Sequence, residues 1–184
     1  MNKDKCINID LSTKVRVKFT DSDAIDVLSG VISKYFFSDT IIMCIGTDKC
    51  IGDCLGPLIG TMLIKGNIPY PVIGTLENPA HAVNLTEVIN NIYRKYESPF
   101  IIAIDACLGY SDYIGDIQIK KGPVHPGKGV GKTLPHVGDV SIIGIVDSLE
   151  VSDIFSIRGI RLNLIMKMAE VISSAILSAT GASF

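Results

Sequence analysis

Six side chains combine the chemistry to move protons or hold a cation with a place at a strand end or in a glycine-rich loop: Asp48, Asp53, Glu77, His81, Asp105 and His125. Two carboxyl groups brought close cannot both ionise easily, so one pKa rises and the pair can hold a shared proton. Such a pair activates water against a carbonyl. Two carboxylates with an imidazole instead make a hard divalent-metal site in which the ion activates the water. The residue types leave both versions open. Asp53, at a helix start, reads equally as an N-cap, and Asp105 as a loop-capping residue. A polar residue closing a run as apolar as Phe100 to Ile104 needs hydrogen-bond partners, and that favours a site.

Two other motifs carry less. The stretch from His125 through Gly127 and Gly129 to Gly131-Lys132-Thr133 ends like a phosphate-cradling loop. Its spacing fails, because the first glycine of the motif would fall on Pro126, and no helix follows to present its N-terminus to phosphate. No nucleotide cofactor is expected. The lysines nearby read as a solvated rim, His125 as a site candidate and His136 as structural. Of five cysteines, Cys50 and Cys54 lack a second ligand pair for zinc, and Cys107 beside Asp105 reads as a buried thiol rather than a nucleophile.

The elements that must position these groups follow from periodicity. Thr13 to Phe19 alternates like a half-exposed edge strand, and Asp21 or Ser22 opens a helix with apolar Ile25, Leu28, Val31, Ile32 and Phe36. Thr40 to Ile45 is a strand covered on both faces, followed by a loop over 46–53 and a helix from Cys54 to Lys65 with Pro57 in its first turn. The pattern repeats with a strand from Tyr70 to Leu76 and a helix opened by an Asn84/Glu87 capping box. Strands from Pro99 to Asp105, Ile114 to Lys120 and Val140 to Val146 come next. A final helix, capped at Asp153, shows one narrow polar stripe of Asn163, Lys167, Glu170, Ser174 and Ser178. Successive βα units predict a three-layer α/β/α domain over 1–184, with 1–38 as an N-terminal strand and helix and 40–178 as core. Ligands of open parallel sheets bind outside the carboxyl ends of the strands, so Asp53, Glu77 and Asp105 are expected to converge at one sheet edge.

Composition bounds the class. The 184 residues are 47% hydrophobic and 20% charged, ordinary for a globular domain and outside the disordered range. Lysine plus arginine number 17 against 19 acidic residues, so no global field points to nucleic acid or a membrane surface. A mean hydropathy of +0.39 is high, and a sheet buried on both faces accounts for it. The most apolar stretch, Leu162 to Leu177, is interrupted by Lys167 and Glu170, short of an uncharged run of roughly 18 residues. The first ten residues alternate charge and apolarity without a signal-peptide core, and an odd cysteine count fits reduced thiols in a cytoplasmic compartment.

The motifs together resemble a known family. Ile45-Gly46-Thr47-Asp48 with Gly52-Asp53-Cys54-Leu55-Gly56-Pro57-Leu58, the stretch Gly74 to Leu85, and Val137 to Val146 resemble the YyaC-type sporulation proteins of spore-forming bacteria. Ala103-Ile104-Asp105-Ala106 and the loop from His125 to Gly131 are shared in style with the germination protease, and the first loop resembles that of hydrogenase maturation proteases. Thr47 stands where both related families usually carry Asn. The resemblance implies a phosphorylase/hydrolase-like sandwich around a twisted, mostly parallel five-stranded sheet. It implies an endopeptidase in which Asp53 and Asp105 act with His125, as an acid pair or with a divalent metal held by those three. Asp48, Glu77, His81, Gly127 and Gly129 would line the binding site. The expected partner is a protein or peptide, small acid-soluble spore proteins among them, in the cytoplasm of the forespore or the spore core; a homo-oligomer stays open. The alternative is an inactive sporulation protein of the same fold that binds a metal or a partner.

Overall fold

The computed structural model describes residues 14–127, 134–148 and 159–183. In chain order it contains β1 (Val15–Lys18), α1 (Ala24–Ile32), β2 (Thr40–Cys44), α2 (Leu55–Lys65), β3 (Val72–Ile73), α3 (Leu85–Lys95), β4 (Phe100–Gly109), β5 (Asp116–Lys121), β6 (Val140–Ser148) and α4 (Leu162–Thr180). The strands form one sheet in the order β1-β5-β6-β4-β2-β3. From β6 to β3 all neighbours are parallel, while β5 pairs antiparallel with both β6 and β1. The fold is thus α/β with a mostly parallel sheet. It has six strands rather than the five implied by the resemblance, because β1 joins as the edge strand, where Arg16 and Lys18 reach Asp116 at 3.7 and 3.6 Å.

Both faces of the sheet are buried, which is why β2 and β4 read as unbroken apolar runs. Ile42, Cys44, Ile102, Ile104 and Ile142 pack in one cluster with residues of α1, α2 and α4, and Ile41, Met43, Ile101 and Ala103 in a second with residues of α3. Among the described residues α4 is the one helix long and apolar enough to cross a membrane. Its Ile165, Met168, Ile172 and Ile176 lie in the first cluster, and Asn163, Lys167, Glu170 and Ser178 are exposed, as the polar stripe predicts.

Four local expectations change. Asp21 does not open α1; its carboxylate accepts the Lys18 N–H at 2.8 Å and closes the turn after β1. β3 is two residues long, because Gly74 at φ +90° turns the chain away against the Cys44 carbonyl. The Asn84/Glu87 capping box does not form: no side chain caps α3, and Asn84 bonds back into the preceding loop. β4 does not stop at Asp105 but runs on to Gly109, since β6 carries the ladder past it with a register shift between Cys107 and Leu108. The expected cap at Asp153 lies outside the described residues.

One topological point matters for function. The chain leaves β2 toward β3 on one side and continues from β4 toward β6 on the other. The crevice between β2 and β4 is therefore a switch point, where open parallel sheets bind ligands. β2 ends at Cys44, paired with Ile104. Asp105 is the next residue of β4, the first beyond the β2 ladder.

Candidate active site

The loop after β2 is folded back on itself by its own backbone. The Ile45 N–H donates to Ile104 O at 2.8 Å, the Gly46 N–H to Ala80 O at 2.8 Å and the Thr47 N–H to Asp53 O at 3.0 Å. Gly46 has φ +139°, and a Cβ there would strike the Asp53 carbonyl oxygen, so only glycine lets Asp53 close over the strand end. Residues Ile51–Asp53 form a single 3-10 turn leading into α2. Gly56 lets that helix seat directly on the backbone of Ile45, which a side chain would block. The capping explanation of Asp53 fails: the N-cap of α2 is Cys54, and no side chain caps the helix.

The same hydrogen bonds bring His81 to the site. Ile45 and Ala80 form a parallel bridge, so the residue after Ala80 stands beside the loop that carries Asp53. Asn84 fixes this segment: its Oδ1 accepts the His81 N–H at 2.8 Å and its amide donates to Pro79 O at 3.0 Å. His81 Nδ1 accepts the Val83 N–H at 3.3 Å, which leaves the proton of the neutral ring on Nε2. Sequence reasoning missed Asn84 as a positioning residue. Its signal was available only as a polar residue three places after a histidine, which the capping box explained equally well.

The electrostatics single out one pair. Asp105 is pushed up to about 8, chiefly by burial and then by the charge of Asp53, against a hydrogen bond from the Ala106 N–H at 2.9 Å. Burial pushes Asp53 up to about 6, opposed by the Thr47 N–H and by His81. Since each carboxyl sits on a different side of neutrality, the pair carries one proton at pH 7. Cys107 is held protonated, its thiol pushed up to about 11 by burial and by Asp105, so it is no nucleophile at neutral pH.

The other candidates are dispersed. Asp48 is exposed, outside the pair, and its charge acts on Cys54. Glu77 is exposed and lines, with His81, a cavity of about 520 Å³ beside β3 that neither Asp53 nor Asp105 borders. His125 is exposed and its ring meets that of His136 edge-to-face with centroids 4.0 Å apart, flanking the Val124–Val137 bridge. His136, expected to be structural, is as exposed as its partner. Gly127 is described, at φ +84°, whereas Gly129 and Gly131-Lys132-Thr133 lie outside the described residues. Among the described residues no group of three or more His, Cys, Asp and Glu side chains is arranged to hold a metal ion, the set Asp53, Asp105 and His125 included.

These features define an α/β protein with an acidic pair at the switch point of a mostly parallel sheet. Residues 16–175 match the family described as "Protein of unknown function (DUF1256)", and the chain belongs to that family. It is 43% identical over 151 residues to "Uncharacterized protein YyaC" of Bacillus subtilis (strain 168), across 82% of this chain and 74% of that one. The resemblance of the motifs to YyaC-type proteins is met by this match.

Proposed function

We propose that the protein is a peptidase that uses Asp53 and Asp105 as a proton-sharing pair. The observation that carries the reading is the placement of two carboxyls, both raised by burial, at the crevice between β2 and β4, with the charge of Asp53 felt at Asp105. Near neutral pH the ionised Asp53 takes a proton from water as the water oxygen bonds to the scissile carbonyl carbon. Protonated Asp105 hydrogen-bonds to the carbonyl oxygen as negative charge develops there. Collapse of the tetrahedral intermediate breaks the C–N bond, and the proton held by Asp53 passes to the departing amine. Burial raises Asp53 to about 6, which still leaves it the ionised member of the pair at neutral pH, and the Thr47 N–H and His81 limit that rise.

The finer architecture belongs to the same proposal: a phosphorylase/hydrolase-like sandwich of the hydrogenase maturation protease type, acting in the cytoplasm of a sporulating cell. Purified small acid-soluble spore proteins are the first substrates to offer, in the presence of a chelator, with fragments read by mass spectrometry. Discrete cleavage by the wild type, absent from an Asp53→Asn protein, supports the reading. Intact substrates at high enzyme concentration and neutral pH favour the alternative, an inactive sporulation protein of the same fold that binds a metal or a protein partner.

A further inference from the structure

We propose that the free edge of β3 is a docking groove that takes an extended peptide segment with a basic side chain, pairing it as an added strand. This deepens the peptidase reading, on which it rests for its purpose, by naming how a substrate is held. β3 is the outermost strand of the sheet. Ile42 lies opposite Val72, and its N–H donates to Pro71 O at 2.9 Å. In a parallel ladder this register spends the backbone groups of Pro71 and Ile73 on β2 and turns the N–H and C=O of Val72 outward. An edge strand with its donor and acceptor outward is a template for pairing, and main-chain bonds then supply affinity while side chains supply selectivity.

The surroundings suit one kind of occupant. The 520 Å³ cavity lies along this edge, with Ile64 of α2 and Val88 of α3 as its walls. Ile64 is 53% exposed, a large apolar side chain without cover. Side chains of an extended peptide alternate in direction, so one set would meet Ile64 and the other Val88. No lysine or arginine lines the cavity, and Glu77 supplies its carboxylate, which complements a lysine or arginine on the peptide. His81 belongs to this lining and also acts on Asp53, so a strand laid along β3 leads toward the acid pair.

The test is isothermal titration of the full chain carrying Asp105→Asn, which prevents turnover. The probe is a capped hexapeptide of alternating valine and threonine with one central lysine. Saturable binding is expected, weakened at least about tenfold when the central lysine is replaced by glutamate or when the central backbone nitrogens are methylated. Val72→Pro should weaken it similarly, because proline removes the outward N–H and spares the ladder bonds of its neighbours. Glu77→Gln should erase the preference for lysine over glutamate. No saturation at millimolar peptide overturns the proposal, as does binding indifferent to methylation, to Val72→Pro and to Glu77→Gln. The methylated peptide reports on the native fold whether or not a variant folds. Peptide that binds in this way to the wild type but is never cleaved sinks the peptidase reading and leaves the groove standing. Cleavage with a KM unmoved by Val72→Pro and Glu77→Gln does the reverse.

Discussion

Asp105→Asn should make the protein more stable, by an amount that grows with pH. The folded-state pKa of Asp105, about 8, lies above its ordinary 3.8. Between those values the folded protein keeps a proton that the unfolded chain has released, so stability falls as pH rises, by at most about 1.4 kcal/mol per pH unit. Below pH 4 both states are protonated and the penalty vanishes. Asparagine titrates nowhere in this window, and its amide oxygen can still accept the Ala106 N–H. The full window would give about 5–6 kcal/mol. Asp105 keeps some contact with solvent, which reduces the expected gain at pH 8 to about 2–3 kcal/mol. For a chain of this size that is a rise in Tm of about 5–10 °C at pH 8, with the two proteins within a degree or two at pH 4. Thermal melts by circular dichroism across that range provide the assay. A difference that stays flat with pH, or a wild type that is the more stable at pH 8, refutes the assignment of a buried, protonated carboxyl.

Further outcomes follow from the same geometry. Asp53→Asn and Asp105→Asn should each cut kcat by orders of magnitude, with the double variant hardly worse, since groups acting as one unit fail together; additive losses in steady-state assays would contradict a shared role. A plot of kcat/KM against pH should be bell-shaped, rising as Asp53 ionises near 6 and falling as Asp105 loses its proton near 8; a monotonic profile would not fit. Gly46→Ala should lower stability by about 2 kcal/mol or more in urea titrations, because both its φ and the Asp53 carbonyl exclude a Cβ; a neutral result would mean the loop closes another way. Calorimetry with millimolar ATP or GTP and magnesium should show no saturable binding, despite Gly131-Lys132-Thr133.

Much of this was legible in the residues, and the failures have physical causes. The apolar runs of β2 and β4 announce strands buried on both faces, and the loop after β2 announces a site through Gly46 and Asp53. The position of Asp105 was harder. Ala106-Cys107-Leu108-Gly109 could as well begin a loop, and only the pairing with β6 shows that the strand continues. What sets Asp105 apart is where a different strand, β2, stops, and no local pattern contains that. Asn84 illustrates the same limit: a cap and a loop staple use the same short amide, and the direction of its bonds depends on His81 and Pro79. His136 precedes a strand, and its exposed ring packs edge-to-face on that of His125, a partner eleven residues away brought near by the Val124–Val137 bridge, which no local pattern contains.

The central claim is that Asp53 and Asp105 hold a single proton between them at neutral pH. Carboxyl carbon-13 NMR of aspartate-labelled protein, titrated from pH 3 to 9 and assigned with the two Asn variants, measures this directly. The account predicts two displaced inflections, one near 6 and one near 8, with the lower one persisting when Asp105 is replaced and the upper one moving down when Asp53 is replaced. Both residues titrating independently near the ordinary value of about 4 would contradict it.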